Sequence, residues 1–226
     1  MKSLLQVVLD FSEVWALLIP LFFVITRKHQ PAFLRPVVIY LWLALILHSV
    51  IDGIMLLNDQ LPAWLQSNNP VYNLTSVVRF ICFSGFFLAL PQAGFRRLNK
   101  WIIIFFVAFF LINFIFVKNF FNYNYFSGNL FALEAYLLLI YCLQYYLVEL
   151  RDDNNVIFDR PDFWVVTGLA IYVVINFFIF LFYLPLLNFD EQLSVRMWDW
   201  HNVAFIIFCI FITKALYDTD RNKFAV

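Results

Sequence analysis

Charged residues are scarce in this chain of 226 residues: Asp, Glu, Lys and Arg make up 13%, whereas hydrophobic residues make up 64%. Soluble domains carry about a quarter charged and about half apolar residues, so this composition excludes an ordinary soluble protein. Acidic and basic residues number 15 each, and the formal net charge is zero. No nucleic-acid partner is expected, because such partners attract basic proteins. The composition predicts an integral membrane protein.

Glycine and cysteine are also rare, at five and three residues. The cysteines, Cys82, Cys142 and Cys209, all fall inside apolar segments. Since no two of them share a loop region, no structural disulfide is predicted. Polar stretches long enough for a soluble domain are missing too. We therefore predict a single transmembrane domain over residues 1–226.

Long apolar runs are what the chain has in abundance. A membrane-spanning helix needs about 20 mostly apolar residues. The predicted spans are residues 4–26, 37–57, 71–90, 101–117, 130–149, 163–186 and 199–217. None of them shows the strict alternation over about 10 residues that marks a barrel strand. We predict an all-α, polytopic membrane protein of seven helices, whose short loops make consecutive helices antiparallel neighbours.

Basic residues are concentrated in alternate loops. The loops after predicted helices 1, 3 and 5, together with the C-terminal end, hold most of the 15 Lys and Arg residues. Cytoplasmic loops carry the excess of Lys and Arg. The N-terminus is therefore expected outside and the C-terminus in the cytoplasm. The expected location is the bacterial inner, or cytoplasmic, membrane.

Ionisable and amide side chains inside the spans collect in the predicted outer halves of the helices. A charge at the bilayer centre costs about 2.5–3.5 kcal/mol and normally faces the bundle interior. Helical spacing agrees, since His48 and Asp52 lie one turn apart on one face. We predict an outward-facing polar pocket, open or nearly open to the outside, with Arg79 as its electrostatic centre. Its predicted residues are Asp10, Glu13, His48, Asp52, Asn73, Ser76, Arg79, Glu134, His201 and Asn202.

Two interpretations of this set stay open. Arg79 pairing with Glu13, Asp52 or Glu134 would be a structural contact that pins the helices together. Four carboxylates against one fixed cation exceed what such a pair needs. The surplus favours a bound proton, cation or small-molecule ligand.

A metal site is a further hypothesis. Glu13, His48, Asp52 and His201 would supply nitrogen and oxygen ligands suited to zinc. A zinc-bound water would support an intramembrane hydrolase acting on a lipid amide or ester, the one enzymatic alternative. Seven-helix zinc hydrolases of the membrane carry two histidines four residues apart in the last helix, whereas Phe205 follows His201 here. An enzyme is therefore not the first expectation.

Retinal and haem are not expected. A retinal protein needs a lysine near the middle of helix 7, and Lys214 lies at its cytoplasmic end. His48 and His201 stand alone, without the accompanying motif of a haem site.

Transport is the main alternative function. Seven helices divide into three plus one plus three, which places Glu13 and Glu134 in the first helix of each triplet. The apolar fourth helix would be the connector. Against a transporter of small solutes or ions, the chain has only five glycines and no matched pair of broken helices.

The segment 68–80, Asn-Asn-Pro-Val-Tyr-Asn-Leu-Thr-Ser-Val-Val-Arg-Phe, is similar to a stretch in small uncharacterised seven-helix bacterial membrane proteins. Some of those proteins are associated with sensor kinases. The resemblance implies a sensor-like or receptor-like protein that contacts membrane lipid and signals through a cytoplasmic or membrane partner. Its pocket would bind a small molecule or report pH through His48 and His201.

Overall fold

The computed structural model describes residues 4–27, 30–92, 94–116, 127–151, 160–187 and 191–221. Regular structure in this part of the chain is entirely helical. The α-helices are α1 (Leu4–Asp10), α2 (Ser12–Thr26), α3 (Arg35–Leu56), α4 (Asn69–Ala89), α5 (Arg96–Phe116), α6 (Gly128–Glu149), α7 (Pro161–Leu187) and α8 (Glu191–Arg221). Short 3₁₀ turns precede α3 and α4.

Several of these helices have the length and composition to cross a membrane. Five segments qualify: Ala32–Leu56, Ala63–Ala89, Gly128–Glu149, Pro161–Phe182 and Arg196–Thr219. Ser12–Thr26 is a shorter apolar helix. Large apolar side chains cover much of the outer surface, which in water would be an aggregation liability. The all-helical architecture fits an integral membrane protein.

The predicted helices correspond to the observed ones, but their ends differ. The starts of α3, α4, α6 and α7 lie two residues before the predicted positions. α5 begins at Arg96 and α8 at Glu191, well ahead of the predicted residues 101 and 199. Both early starts lie in polar sequence. An apolar run marks the part of a helix that meets hydrocarbon, whereas a polar first turn can extend beyond it.

The predicted first helix, residues 4–26, is interrupted at Phe11, whose φ is −99° and ψ is 11°. Side chains bond to carbonyl oxygens next to the interruption. Trp15 Nε1 donates to Val8 O at 2.9 Å, and Asn202 Nδ2 donates to Leu9 O at 3.1 Å. Such donors make a broken helix tolerable inside a bundle, where backbone groups have no water to bond.

Six helices form a closed ring in the order α2, α3, α4, α6, α7, α8, with α8 packing back against α2. α5 contacts α4 and α6, which also contact each other directly, so α5 lies outside the ring. Aromatic residues fill the centre. Tyr40, Phe83 and Phe208 are fully buried, with ring centroids 5.1 Å apart for Tyr40–Phe83 and 5.6 Å for Phe83–Phe208.

Polar contacts identify which helix ends lie together. Gln6 of α1 donates to Asp199 of α8 at 2.9 Å, and the Ser127 amide before α6 donates to Asn73 of α4 at 3.3 Å. Tyr72 of α4 donates to Glu13 of α2 at 3.0 Å and links the two pairs, so the starts of α2, α4, α6 and α8 share one end of the bundle. α7 begins at the opposite end, where Arg160 bonds to the last turn of α6. Consecutive long helices thus alternate in direction, as the short loops predict.

The tight contact of α7 with α8 at Gly168 allows a direct test of the packing. A Cβ atom added at Gly168 would lie 2.5 Å from Phe211 Cβ. We expect Gly168→Ala to lower the melting temperature, because overpacking costs about 1–3 kcal/mol. Gly53→Ala is the matched control, since nothing lies within 4 Å of its Cβ position. Thermal denaturation in detergent measures both, and equal melting of Gly168→Ala and wild type would contradict this contact.

Candidate functional site

A buried ion pair joins α4 to α6. Arg79 Nε donates to Glu134 Oε1 at 2.5 Å, and Arg79 Nη2 donates to Glu134 Oε2 at 2.8 Å. The two side chains are 5% and 1% exposed. The planar guanidinium matches both carboxylate oxygens, which is the strongest geometry for such a pair. Glu134 therefore has a permanent counter-charge.

Ser76 and Tyr172 complete the surroundings of this pair. Ser76 Oγ donates to Glu134 Oε2 at 2.5 Å, and Arg79 Nη1 donates to Tyr172 Oη at 2.7 Å. We call Ser76, Arg79, Glu134 and Tyr172 the Arg79 cluster. Its hydrogen bonds reduce the desolvation cost that a bare buried ion pair would carry. The cluster holds α4, α6 and α7 together.

A second buried carboxylate lies between two imidazoles. Glu13 Oε1 is 2.9 Å from His201 Nε2, and Glu13 Oε2 is 3.2 Å from His48 Nδ1. Tyr72 Oη donates to Glu13 Oε2 at 3.0 Å. Glu13, His48 and His201 are at most 4% exposed. With Asn176 these residues form the Glu13 cluster, which draws on α2, α3, α4, α7 and α8.

Asn176 fixes the tautomer of His201. Asn176 Nδ2 donates to the Tyr172 carbonyl oxygen at 2.7 Å, so its Oδ1 is left to accept a proton from His201 Nδ1. A hydrogen bond between His201 Nε2 and Glu13 Oε1 then needs one proton on one of these two atoms. An ionised carboxylate buried without a counter-charge is strongly unfavourable. The contact is neutral when one proton lies on either of these two atoms.

His48 leaves hydrogen-bonding capacity unused. Its Nδ1 is close to Glu13, but neither ring nitrogen makes an aligned hydrogen bond within the described part of the chain. A buried polar atom in this state costs about 1–3 kcal/mol. A second proton, a water or a small polar ligand at His48 would satisfy it. The Glu13 cluster therefore has room to change its bonding, whereas the Arg79 cluster does not.

Aromatic rings close the Glu13 cluster. The Trp198 and His201 ring centroids are 5.0 Å apart, those of Tyr72 and Trp198 5.3 Å, and those of Phe180 and His201 5.5 Å.

The sequence predicted a pocket open or nearly open to the outside. In the structure the acidic and basic side chains of the two clusters contact one another and are buried. Polar groups inside a bundle bond to one another when no water competes.

Six of the ten predicted residues lie within the two clusters: Glu13, His48, Ser76, Arg79, Glu134 and His201. The other four lie around them. Asn73 bonds the chain before α6, Asp10 accepts from Gln6, and Asn202 bonds next to the α1–α2 interruption. Asp52 is only partly buried and makes no hydrogen bond or ion pair to a described residue.

Tyr172 and Asn176 were not among the predicted site residues. Asn176 offered a signal, because an amide near the middle of an apolar span needs a partner. Tyr172 offered none, since it is one of 11 tyrosines in an aromatic-rich chain. The prediction consequently left out α7, which contributes to both clusters.

The predicted zinc ligands do not form a metal site in the described residues, where no three His, Cys, Asp or Glu side chains are arranged to hold an ion. His48 Nδ1 lies 3.2 Å and His201 Nε2 2.9 Å from the carboxylate oxygens of Glu13. The carboxylate thus occupies the place between the imidazoles that a metal would need.

No protein-family model, curated protein or solved structure matches the chain. An all-helical fold alone licenses no function. Any functional conclusion therefore depends on the two clusters and the helices that hold them.

The Arg79 cluster can be tested by removing its cation. We expect Arg79→Ala to lose about 3–5 kcal/mol of stability, because Glu134 is left buried without a counter-charge. The double variant Arg79→Met/Glu134→Leu should recover most of that loss. Arg151→Ala is the control, since it also removes a cation but at an exposed position, where a substitution normally changes stability by no more than about 0.5 kcal/mol. Equal melting of Arg79→Ala and wild type would rule out the buried pair.

Proposed function

We propose that the protein is a sensor-like or receptor-like integral membrane protein whose Glu13 cluster changes charge on gain or loss of a proton. The observation that supports this proposal is a buried carboxylate held between His48 and His201 from two other helices. Imidazoles change charge in the physiological pH range. Glu134, by contrast, is neutralised by Arg79 at every physiological pH.

The proposal includes seven membrane spans. α1 with α2 forms the first and α3 to α8 the other six, with the N-terminus outside and the C-terminus in the cytoplasm of a bacterial cell. In this orientation the Glu13 cluster lies in the outer half of the bundle. The short cytoplasmic ends would contact a signalling partner, because no described segment forms an output domain.

Loss of the proton supplies the driving force for signalling. It leaves a net negative charge among closely packed helices, where the effective dielectric constant is low. Separation of the helices that supply Glu13 and His201 would hydrate that charge. α8 then connects the site to the other end of the bundle, since it runs unbroken from Glu191 to Arg221. A local charge change thereby shifts the equilibrium between two arrangements of the bundle.

A second candidate is proton-linked transport, which the position of α5 favours. The ring consists of the triplets α2–α4 and α6–α8, and α5 packs outside it as a connector would. A pH-sensitive dye inside proteoliposomes discriminates the two functions. Proton flux that depends on Glu13 would favour transport, whereas a pH-dependent structural change without flux favours a sensor.

The proposed orientation can be tested with single cysteines. Asp59 and Arg151 are exposed and lie in predicted outer and cytoplasmic segments respectively. With Cys82 replaced by Ala, we expect a membrane-impermeant maleimide to label Asp59→Cys in intact spheroplasts. Arg151→Cys should react only after permeabilisation, and the opposite result would invert the topology.

The role of Glu13 can be tested by the pH dependence of melting. The bound proton stabilises the folded cluster, so the stability it contributes is present at low pH and is lost as pH rises. We expect the melting temperature of the wild type to fall by several degrees between about pH 6 and pH 9, since about 1 kcal/mol shifts it by about 2–4 °C. Glu13→Gln should flatten this dependence, because a neutral amide needs no proton.

The matched control is Asp59→Asn, which makes the same chemical change at an exposed position. It should keep the pH dependence of the wild type. If Glu13→Gln also kept it, the proposed function would lose its basis.

A further inference from the structure

The order of helices in the ring repeats after three. A shift of three places exchanges α2 with α6, α3 with α7, and α4 with α8. The exchanged helices run in the same direction, because α5 lies outside the ring and consecutive helices alternate, and the α4–α6 contact becomes the α8–α2 contact. This is the arrangement of two three-helix units around an axis parallel to the helices, with α5 as the connector.

Short sequence matches lie at the corresponding places of the two units. Residues 13–19 of α2 read Glu-Val-Trp-Ala-Leu-Leu-Ile, and residues 134–140 of α6 read Glu-Ala-Tyr-Leu-Leu-Leu-Ile. The two segments share the glutamate, an aromatic residue two positions later and the final Leu-Leu-Ile. An Arg-Pro pair stands at the start of both second helices, at 35–36 for α3 and at 160–161 for α7.

The third helices correspond as well. In α4, phenylalanines follow Arg79 after four and seven residues, and in α8 they follow His201 after four and seven residues. The interval from Glu13 to Arg79 differs by one residue from that between Glu134 and His201. His201 therefore takes the place in the second unit that Arg79 takes in the first.

We infer that the chain consists of two equivalent three-helix repeats, Leu4–Ala89 and Gly128–Arg221, and that Glu13–His201 is the proton-dependent counterpart of the permanent Glu134–Arg79 contact. Both contacts join the first helix of one repeat to the last helix of the other. This inference rests on the proposed proton binding at Glu13. Beyond proton binding, we infer that the α2–α8 interface moves and that the α4–α6 interface stays closed.

The titratable groups around Glu13 decide which protonation state opens the interface. On the helices packed around it these are Asp10, His48, Asp52, Tyr72, Tyr172, Asp199 and His201. Three are carboxylic acids, and the fixed cation Arg79 is occupied by Glu134 and Tyr172. Loss of the proton therefore adds negative charge to an acidic neighbourhood. The α2–α8 interface opens as pH rises, and the α4–α6 interface acts as the hinge.

Spin labels at equivalent positions of the two interfaces test this asymmetry. Val8 of α1, the short helix that leads into α2, and Arg196 of α8 report on the α2–α8 side. Their counterparts Asn129 of α6 and Leu74 of α4 report on the α4–α6 side. All four residues are exposed. Native Cys82 is replaced by Ala, while Cys142 and Cys209 are buried. The pairs are measured by double electron–electron resonance in nanodiscs at about pH 6 and pH 9, on either side of the ordinary range of histidine.

We expect the Val8–Arg196 distance to lengthen at high pH by on the order of 2–5 Å, the size of a helix shift. The Asn129–Leu74 distance should stay unchanged. Glu13→Gln should abolish the lengthening. Glutamine has nearly the same size as glutamate, so the packing around position 13 is kept. Arg79→His should make the Asn129–Leu74 pair respond to pH, because it gives the first repeat the titratable partner of the second.

The outcomes separate this inference from the proposed function. If melting depends on pH through Glu13 while both pairs move alike, or neither moves, the inference of one fixed and one openable interface is overturned and the sensor proposal stands. If neither melting nor distance depends on Glu13, both fall. Movement confined to Val8–Arg196 and lost in Glu13→Gln supports both.

Discussion

The cost of an ionised carboxylate inside a helix bundle is the constraint on which the rest of the structure depends. Glu13 and Glu134 are both almost fully buried, and each needs a neighbouring group that can neutralise it. Arg79 performs this for Glu134, and the imidazole of His201 lies 2.9 Å from Glu13. Between them the two clusters draw on every helix of the ring, and α4 contributes to both. The apolar surface fits helices that lie in a membrane, and these polar contacts join neighbouring helices.

The sequence predicted the all-helical class because lipid imposes an apolar composition on every residue that it touches. It predicted helix ends less well. The polar first turns of α5 and α8 carry no hydrophobic signal, although they continue the same helix. The interruption at Phe11 was also missed, since the bonds from Trp15 and Asn202 that support it depend on tertiary contacts. What lies outside the hydrocarbon or depends on distant partners is not encoded in local hydropathy.

The candidate site followed from one physical rule, that charged groups in a membrane face inward. This rule placed five residues together in the predicted site: Glu13, His48, Arg79, Glu134 and His201. It could not choose among Glu13, Asp52 and Glu134 as the partner of Arg79, because that choice depends on α4 packing against α6 in the ring. For the same reason a closed, internally bonded cluster was indistinguishable from an open pocket. Spacing along one helix gives the face, whereas only the neighbouring helix gives the partner.

A bundle with two buried carboxylates can hold them in three ways. With arginine at both contacts, neither interface would respond to pH. With histidine at both, alkaline conditions would leave no charged contact to keep the two halves together. One arginine and one histidine at matching positions give a permanent hinge and a conditional contact within the same ring. A receptor that signals and a carrier that exposes its centre both need this combination, since each requires one part of the bundle to stay fixed while the other moves.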